Sequence, residues 1–414
     1  MPTAKGDSIA LYSEGTFDEH IQELANYLAR NKTEEDRTLF IKPFVEALIP
    51  REDSTPFEED PGRRREVLEM VLERMNGVGE GTEKEIEGFF NLLMAYTLDS
   101  YPDPATPIGK LLSSILTAQR PPSIKYRLLS NVFNALPQAS PLRPKTFLLI
   151  LNLASKNDEL DVLHLHKAEV DKWLEEWDIT VEERAQFCKE IADALFKASQ
   201  PAKAYPYLIL RAQILPSNSP NANSSVMDAL ISGLRLSSIY NFEPIIGLQN
   251  INLVREHPLF KLLKIFLRSG MKEWQEWVAT NEAELTSCGL DRTSVEKKIR
   301  LVTLTELVTA NIGKTITYAE IASTIQVTEA EVENWVIQAI RAKLIVGKLD
   351  QTTRTFAVVR STTRQFTPGD WEALDDRLEK WKATLVDILS VVSAARKKAT
   401  GPTGAAGITP VAAS

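Results

Sequence analysis

Apolar residues recur at three- and four-residue steps along most of the first 300 positions, which predicts helix after helix. Ile21, Leu24 and Leu28 follow Thr16-Phe17-Asp18-Glu19; Ile86, Phe89, Phe90 and Leu93 follow Thr82-Glu83-Lys84-Glu85; Phe187, Ile191 and Leu195 follow Thr180-Val181-Glu182-Glu183. Each lead-in has the Thr-x-x-Glu form of a capping box. The Thr oxygen accepts an orphan amide of the first turn, and the Glu reaches back to the Thr amide. Pro and Gly punctuate the pattern at Pro50 to Pro61, Gly77 to Gly81, Tyr101 to Pro107, Pro121-Pro122 and Pro216 to Pro220. Two-helix units of roughly 35–45 residues follow from this spacing. No signature residue returns at a fixed period, so both an irregular helical-repeat array and a non-repetitive helical bundle remain open. The Gly77-x-Gly79-x-Gly81 stretch lies between two helices with no strand before it, and reads as a flexible loop.

The pattern changes near residue 312. Thr315-Ile316-Thr317 is a short β-prone piece, and Thr317-x-x-Glu320 and Thr328-x-x-Glu331 each open a helix. Leu344 to Leu349 and Arg354 to Val359, joined by the polar Asp350-Gln351-Thr352-Thr353, read as a hairpin. With the helix near Val295 to Ala310, the order is helix, strand, helix, helix, strand, strand, which is that of a winged-helix domain. Beyond it, Thr367-Pro368 starts a last helix. Trp371, Leu374, Leu378, Trp381, Leu385, Ile388 and Val392 are spaced by steps of 3, 4, 3, 4, 3 and 4. Such a heptad stripe must be covered, either by the winged helix or by partner helices in a coiled coil or bundle.

The expected fold class is therefore mainly α. A flexible start (1–15) leads into a helical-repeat, solenoid-like array (16–294). A winged-helix module (295–366) and a heptad helix (367–398) follow, and then a disordered Ala/Gly-rich tail (399–414).

Composition narrows the chemistry. The 414 residues carry 48 Lys/Arg and 56 Asp/Glu, a net charge of −8, with four His and two Cys. Cys188 and Cys288 make neither a disulfide framework nor a zinc site, and two unpaired thiols suit a reducing compartment. No apolar leader follows Met1 and no apolar run approaches the ~20 residues of a membrane span, so cytoplasmic placement is expected. His164-Leu165-His166 lacks the Ser and Asp that isopeptidase metal sites place downstream, where this chain has Leu174 and Trp177. No phosphate loop, nucleophile elbow or Cys–His pair occurs. Glu175, Glu176, Glu182 and Glu183 read as solvated helix faces. No catalytic, metal or cofactor-binding residue is assigned, and no enzyme is expected.

A groove-reading helix would need cations at its N-terminal end. Here that helix begins Glu329-Ala330-Glu331-Val332-Glu333. Residues 300–360 hold seven Lys/Arg against six Asp/Glu, a net of +1. Sequence-specific DNA binding is excluded on that ground. An RNA or ribosome contact through Arg341, Lys343, Lys348, Arg354, Arg360 and Arg364 remains open.

A helical array running into a winged helix and a final helix resembles the PCI domain family, scaffold subunits of the proteasome lid, the signalosome and translation initiation factor 3. The similarity is carried by the segments from Tyr126 to Asn134, from Lys172 to Thr180, from Lys348 to Arg354 and from Ser361 to Phe366, by Trp371 and by Trp381-Lys382. It spans residues 16 to 392 and is most specific in the last third. The resemblance implies a non-catalytic scaffold without cofactor. Its partners would be other subunits of the initiation factor, met through side-by-side PCI contacts and a shared bundle of C-terminal helices. Through that complex it would meet the small ribosomal subunit, initiator tRNA and mRNA. No membrane partner is implied. A signalosome subunit of similar architecture is the alternative.

Overall fold

A computed structural model describes residues 15–49, 60–75, 77–163, 165–362 and 368–399. The expectations for the N-terminal segment before Gly15, for the tail from residue 400, and for His164, Arg364 and Thr367 lie outside the described residues. The described part is mostly helical, with one small sheet. The chain divides into two compact units, residues 1–236 with 244–257, and residues 237–243 with 258–414.

The first unit begins with α1 (Phe17–Leu28), α2 (Glu34–Leu48), α3 (Pro61–Arg74), α4 (Glu83–Ser100) and α5 (Ala105–Thr117). It continues with α6 (Pro122–Ala135), α7 (Leu142–Asn157), α8 (Lys167–Glu176), α9 (Val181–Lys197), α10 (Pro201–Ile214) and α11 (Ala222–Arg235). The capping boxes at Thr16, Thr82 and Thr180 close as the sequence predicts: the Thr82 amide donates to Glu85 Oε2 at 2.7 Å and the Glu85 amide to Thr82 Oγ1 at 3.4 Å. Glu85 is held down at about 2, first by the Thr82 amide and then by Arg30. Pro122 opens α6 at its first position, where no amide is needed. Pro107 does not break the chain, because it sits in the first turn of α5.

Helix packing follows chain order. α1 lies on α2, α3 and α4; α4 on α6; α6 on α7; α7 on α9; and α10 between α9 and α11. Leu24, Phe44, Leu68, Leu93, Ile108 and Leu129 bury one shared core over α1 to α7. Phe147, Trp173, Trp177 and Phe187 carry the packing on into α8 and α9, with ring centroids 5.0–6.0 Å apart.

Helix C-termini present the opposite problem to N-termini, since their last carbonyls lack partners. α2, α4, α5, α6 and α8 have no cation of their own in the last turn. At four joints the next helix supplies it from its first turn. Arg63 donates to Ala47 O at 3.0 Å, Lys125 to Leu116 O at 2.9 Å, Arg143 to Leu136 O at 3.0 Å and Arg184 to Trp177 O at 3.4 Å. Arg65 on α3 donates to Ser100 O at the end of α4, at 2.7 Å. A cation in a first turn opposes its own helix dipole, and here it serves the negative end of another helix.

The Gly77–Gly81 segment differs from the flexible loop that its composition predicts. Tyr27 Oη donates to Val78 O at 2.8 Å and Arg120 to Gly79 O at 2.9 Å, so both sides of the loop are clasped. Gly79 has φ +72°, and a Cβ there would lie 2.6 Å from the Tyr27 ring. Its glycine serves close approach to an aromatic ring.

The second unit holds α13 (Pro258–Arg268), α14 (Met271–Ser287) and α15 (Arg292–Ala310), which follow the four-residue α12 (Glu243–Ile246). Then come β1 (Thr315–Thr317), α16 (Tyr318–Ile325), α17 (Glu329–Arg341), β2 (Ile345–Asp350), β3 (Thr355–Ser361) and α18 (Pro368–Ala399). The sheet is antiparallel in the order β1-β3-β2, with Ile316 opposite Phe356 and Lys348 opposite Ala357. A register shift falls between Val346 and Gly347. A Cβ on Gly347 would overlap Ala357 O and the Phe356 ring, so the bulge requires glycine. Leu304, Val308, Ile321, Val332, Val336 and Phe356 form the core under the sheet. No helix among the described residues is long and apolar enough to cross a membrane.

Arg143 is 7% exposed and its guanidinium also lies 4.9 Å from the Phe133 ring centroid. Arg143→Met should therefore lower unfolding stability by about 2 kcal/mol, the loss of a charged hydrogen bond to a buried carbonyl. Urea denaturation checks this, and a change within ~0.5 kcal/mol would show that the α6 end does not depend on its clasp.

Candidate interaction surface

The heptad residues all lie on α18, a helix of 32 residues, about 48 Å long at 1.5 Å per residue. Within this chain they are exposed. Leu374 is the least so at 38%, and Trp381 the most at 72%. Packing of the stripe on the second unit is thus not what the chain does by itself. Three exposed apolar side chains lie off the stripe, Val386, Leu389 and Val391. The three-four template passes over them because it counts only positions that recur on one face. The signal that finds them is the run from Thr384 to Ser393, in which Asp387 alone is charged.

The basic positions are scattered around the hairpin. Arg341 ends α17, Lys343 follows at φ +60°, Lys348 is on β2, and Arg360 on β3 stands opposite Val346. Arg354, at φ +49° in the hairpin turn, pairs with Glu329 at 3.4 Å. The acidic start of α17 is engaged in the same way. Glu333 accepts from Tyr318 Oη at 3.3 Å and from Gln351 at 3.2 Å, and Glu331 accepts from the Thr328 amide and hydroxyl. Asp350 accepts from the amides of Thr352 and Thr353, and the Thr353 contact leads in holding its carboxyl below the usual range. These carboxylates cap the helix, shape the turn and tie the two together.

Among the described residues no catalytic or metal-binding cluster competes with this surface. A cavity of about 660 Å³ beside α1 and α4 is lined by Leu24, Tyr27, Phe89 and Leu92 and by Arg30 and Lys84. No His, Cys, Ser or Thr lines it, and Glu85 there is occupied by Arg30 and the α4 cap. Among the described residues no group of three His, Cys, Asp or Glu could hold a metal ion. His166 stands at the start of α8. Cys188 is fully buried on α9, where burial pushes its thiol up to about 12, and Cys288 caps the end of α14. Lys298 on α15 is 3% exposed, with its amine 4.8 Å from the Phe242 ring centroid and 5.9 Å from those of Tyr240 and Phe266. Burial pulls it down to about 7. Cys188 and Lys298 belong to different units, and burial leads the shift of each.

Folded Lys298 loses its proton near pH 7, whereas the unfolded chain keeps it to about 10.5. The unfolded state binds more protons in that window, so this residue makes stability rise with pH across it. The native chain should gain stability relative to Lys298→Met between about pH 7 and about pH 10 in paired urea denaturations. A difference that stays constant would show that the amine remains charged.

Residues 278–360 match the family model of the PCI domain. They run from the C-terminal part of α14 to Arg360 in β3 and so take in all of the sheet but Ser361. Over 94% of this chain and 88% of its own length, the eukaryotic translation initiation factor 3 subunit M of Aspergillus terreus is 29% identical across 409 residues. The subunit M of Aspergillus oryzae is 29% identical over 94% of this chain and 87% of its own length. That of Phaeosphaeria nodorum is 27% identical over 95% and 90%.

Proposed function

We propose, from the PCI domain that the chain carries and its near full-length similarity to subunit M of eukaryotic translation initiation factor 3, that it is a non-catalytic scaffold subunit of that factor. The observation that carries this reading is the extent of the similarity, which runs through both units. In this reading residues 16–294 are a helical-repeat array and 295–366 a winged-helix module that meets other PCI subunits. The order helix, strand, helix, helix, strand, strand with a β1-β3-β2 sheet supports the winged-helix assignment. Its second helix opens with carboxylates committed to the hairpin, which suits protein contact better than a phosphate backbone. α18 then joins partner helices through Trp371, Leu374, Leu378, Trp381, Leu385, Ile388 and Val392. The whole factor, placed in the cytoplasm, would support preinitiation-complex assembly and the recruitment of initiator tRNA and mRNA to the small ribosomal subunit.

Affinity purification of the tagged chain should bring down other subunits of the initiation factor together with the small ribosomal subunit. Recovery of signalosome subunits alone would overturn the assignment. Trp381→Glu with Leu385→Glu should abolish that recovery and leave the circular dichroism of the helical array intact. Full recovery would place the stripe outside the interface.

Exposure of Arg341, Lys343, Lys348 and Arg360 around the hairpin favours a second reading, direct RNA contact. Charge reversal at Lys348 and Arg354 should then weaken RNA crosslinking and flatten its salt dependence. Crosslinking that is unchanged would count against it.

A further inference from the structure

The cavity of about 660 Å³ beside α1 and α4 has an apolar floor and a charged rim. The floor is held in place. Tyr27 stacks on Phe89 with ring centroids 4.6 Å apart, and its hydroxyl is tied to Val78 O at 2.8 Å. Leu24, Phe89 and Leu92 are buried around it. Gly88 completes the floor. It lies inside α4, where glycine is the least favourable residue after proline, and a helical backbone gives no conformational reason for it. What glycine supplies there is a missing side chain, which lets a bulky group or another backbone come close.

We propose that this groove docks a short acidic amphipathic helix of another protein, which sets a large apolar side chain over Gly88 and carboxylates against Arg37 and Lys84. Shape selects a helix. Glu23 and Tyr27 on α1, and Lys84, Gly88 and Leu92 on α4, recur every fourth residue, the ridge spacing that a third helix packs into. From Lys84 to Leu92 is two turns of α4, about 12 Å. A second concavity shares Arg37 and carries the surface on along α2 over Ile41 and Val45, where Val45 is 44% exposed. Charge selects an acidic partner. Glu85 is committed to Arg30 at 3.1 Å and to the Thr82 cap. That leaves Arg37 and Lys84, both exposed, against Glu23. Arg37 donates to the neutral Asn26 at 3.1 Å, and Lys84 stands in the first turn of α4, against that helix's own dipole. A carboxylate placed there gains charge-assisted bonds, whereas a basic helix meets like charge. The proposal does not depend on which complex the chain joins.

Selection of a phage-displayed library of random peptides, about 12 residues long and so able to form three helical turns, on the purified full chain tests this. Clones that bind the chain but not Gly88→Leu should be enriched, with Asp or Glu beside apolar residues at i, i+3 or i+4, and i+7. That substitution raises helix propensity while it fills the floor, so far-UV circular dichroism should be retained. Should the variant lose its fold, Arg37→Glu with Lys84→Glu, both at exposed positions, takes its place in the counter-selection. A synthetic copy of an enriched peptide should bind that charge-reversed chain at least about tenfold more weakly than the native one. Three results would overturn the proposal: no clone that distinguishes native from variant chain, enrichment of basic or uncharged peptides, or affinity unchanged by charge reversal. So would peptide binding that appears only after residues 1–14 are removed, which would give the groove to the chain's own N-terminal segment. A dimer of the native chain that Gly88→Leu dissolves would give it to a second copy, and would equally sink the idea.

Discussion

The first unit depends on how its helix ends are satisfied. Each α-helix leaves its last carbonyls without intrahelical partners, and in a closely packed series those ends are half withdrawn from water. Short connections bring the start of one helix beside the end of the one before. Arg63, Lys125, Arg143 and Arg184 use that proximity, each reaching back from a first turn to the preceding C-terminal carbonyls. The contact fixes how far consecutive helices can splay, and so which ridges of apolar side chains meet. Trp173 and Trp177 pack with Phe147 and Phe187 across α7, α8 and α9, beside the α8–α9 joint where Arg184 donates to Trp177 O. A charge that costs something at its own helix start is offset at its neighbour's end.

The same economy governs the second unit, where the fold itself engages the acidic start of α17. The carboxylates at the start of α17 are taken up by caps, by the hairpin and by Arg354. Inside, the apolar faces of α15, α16, α17 and the sheet are closed over Leu304, Val336 and Phe356. Among the described residues, the longest run of exposed apolar side chains lies on α18. A stable monomer rarely leaves this much contiguous aliphatic and aromatic surface on one helix, and the −8 net charge supplies the solvated surroundings in which one uncovered stripe can be selective.

The candidate surface was legible in the sequence as far as its central stripe. Seven residues at heptad spacing are visible by counting, and the helix carries them as counted. Val386, Leu389 and Val391 were not found, because a fixed template discards residues that widen a face. Gly79 was misread for a related reason. Composition suggests freedom in a Gly-x-Gly-x-Gly stretch, but the partners that restrain it, Tyr27 and Arg120, come from about 40 or more residues away on either side.

By itself the sequence determined what is local. Periods of 3.6 and 2 placed helices and strands, and Thr-x-x-Glu boxes marked five helix starts, because amide, hydroxyl and carboxylate all lie within three residues. Only the tertiary structure decided how helix ends are closed, which loop is clasped, and which apolar faces stay open. Those outcomes depend on donors and surfaces brought together by packing, and no spacing along the chain encodes the distance between two residues that meet only after the helices have stacked.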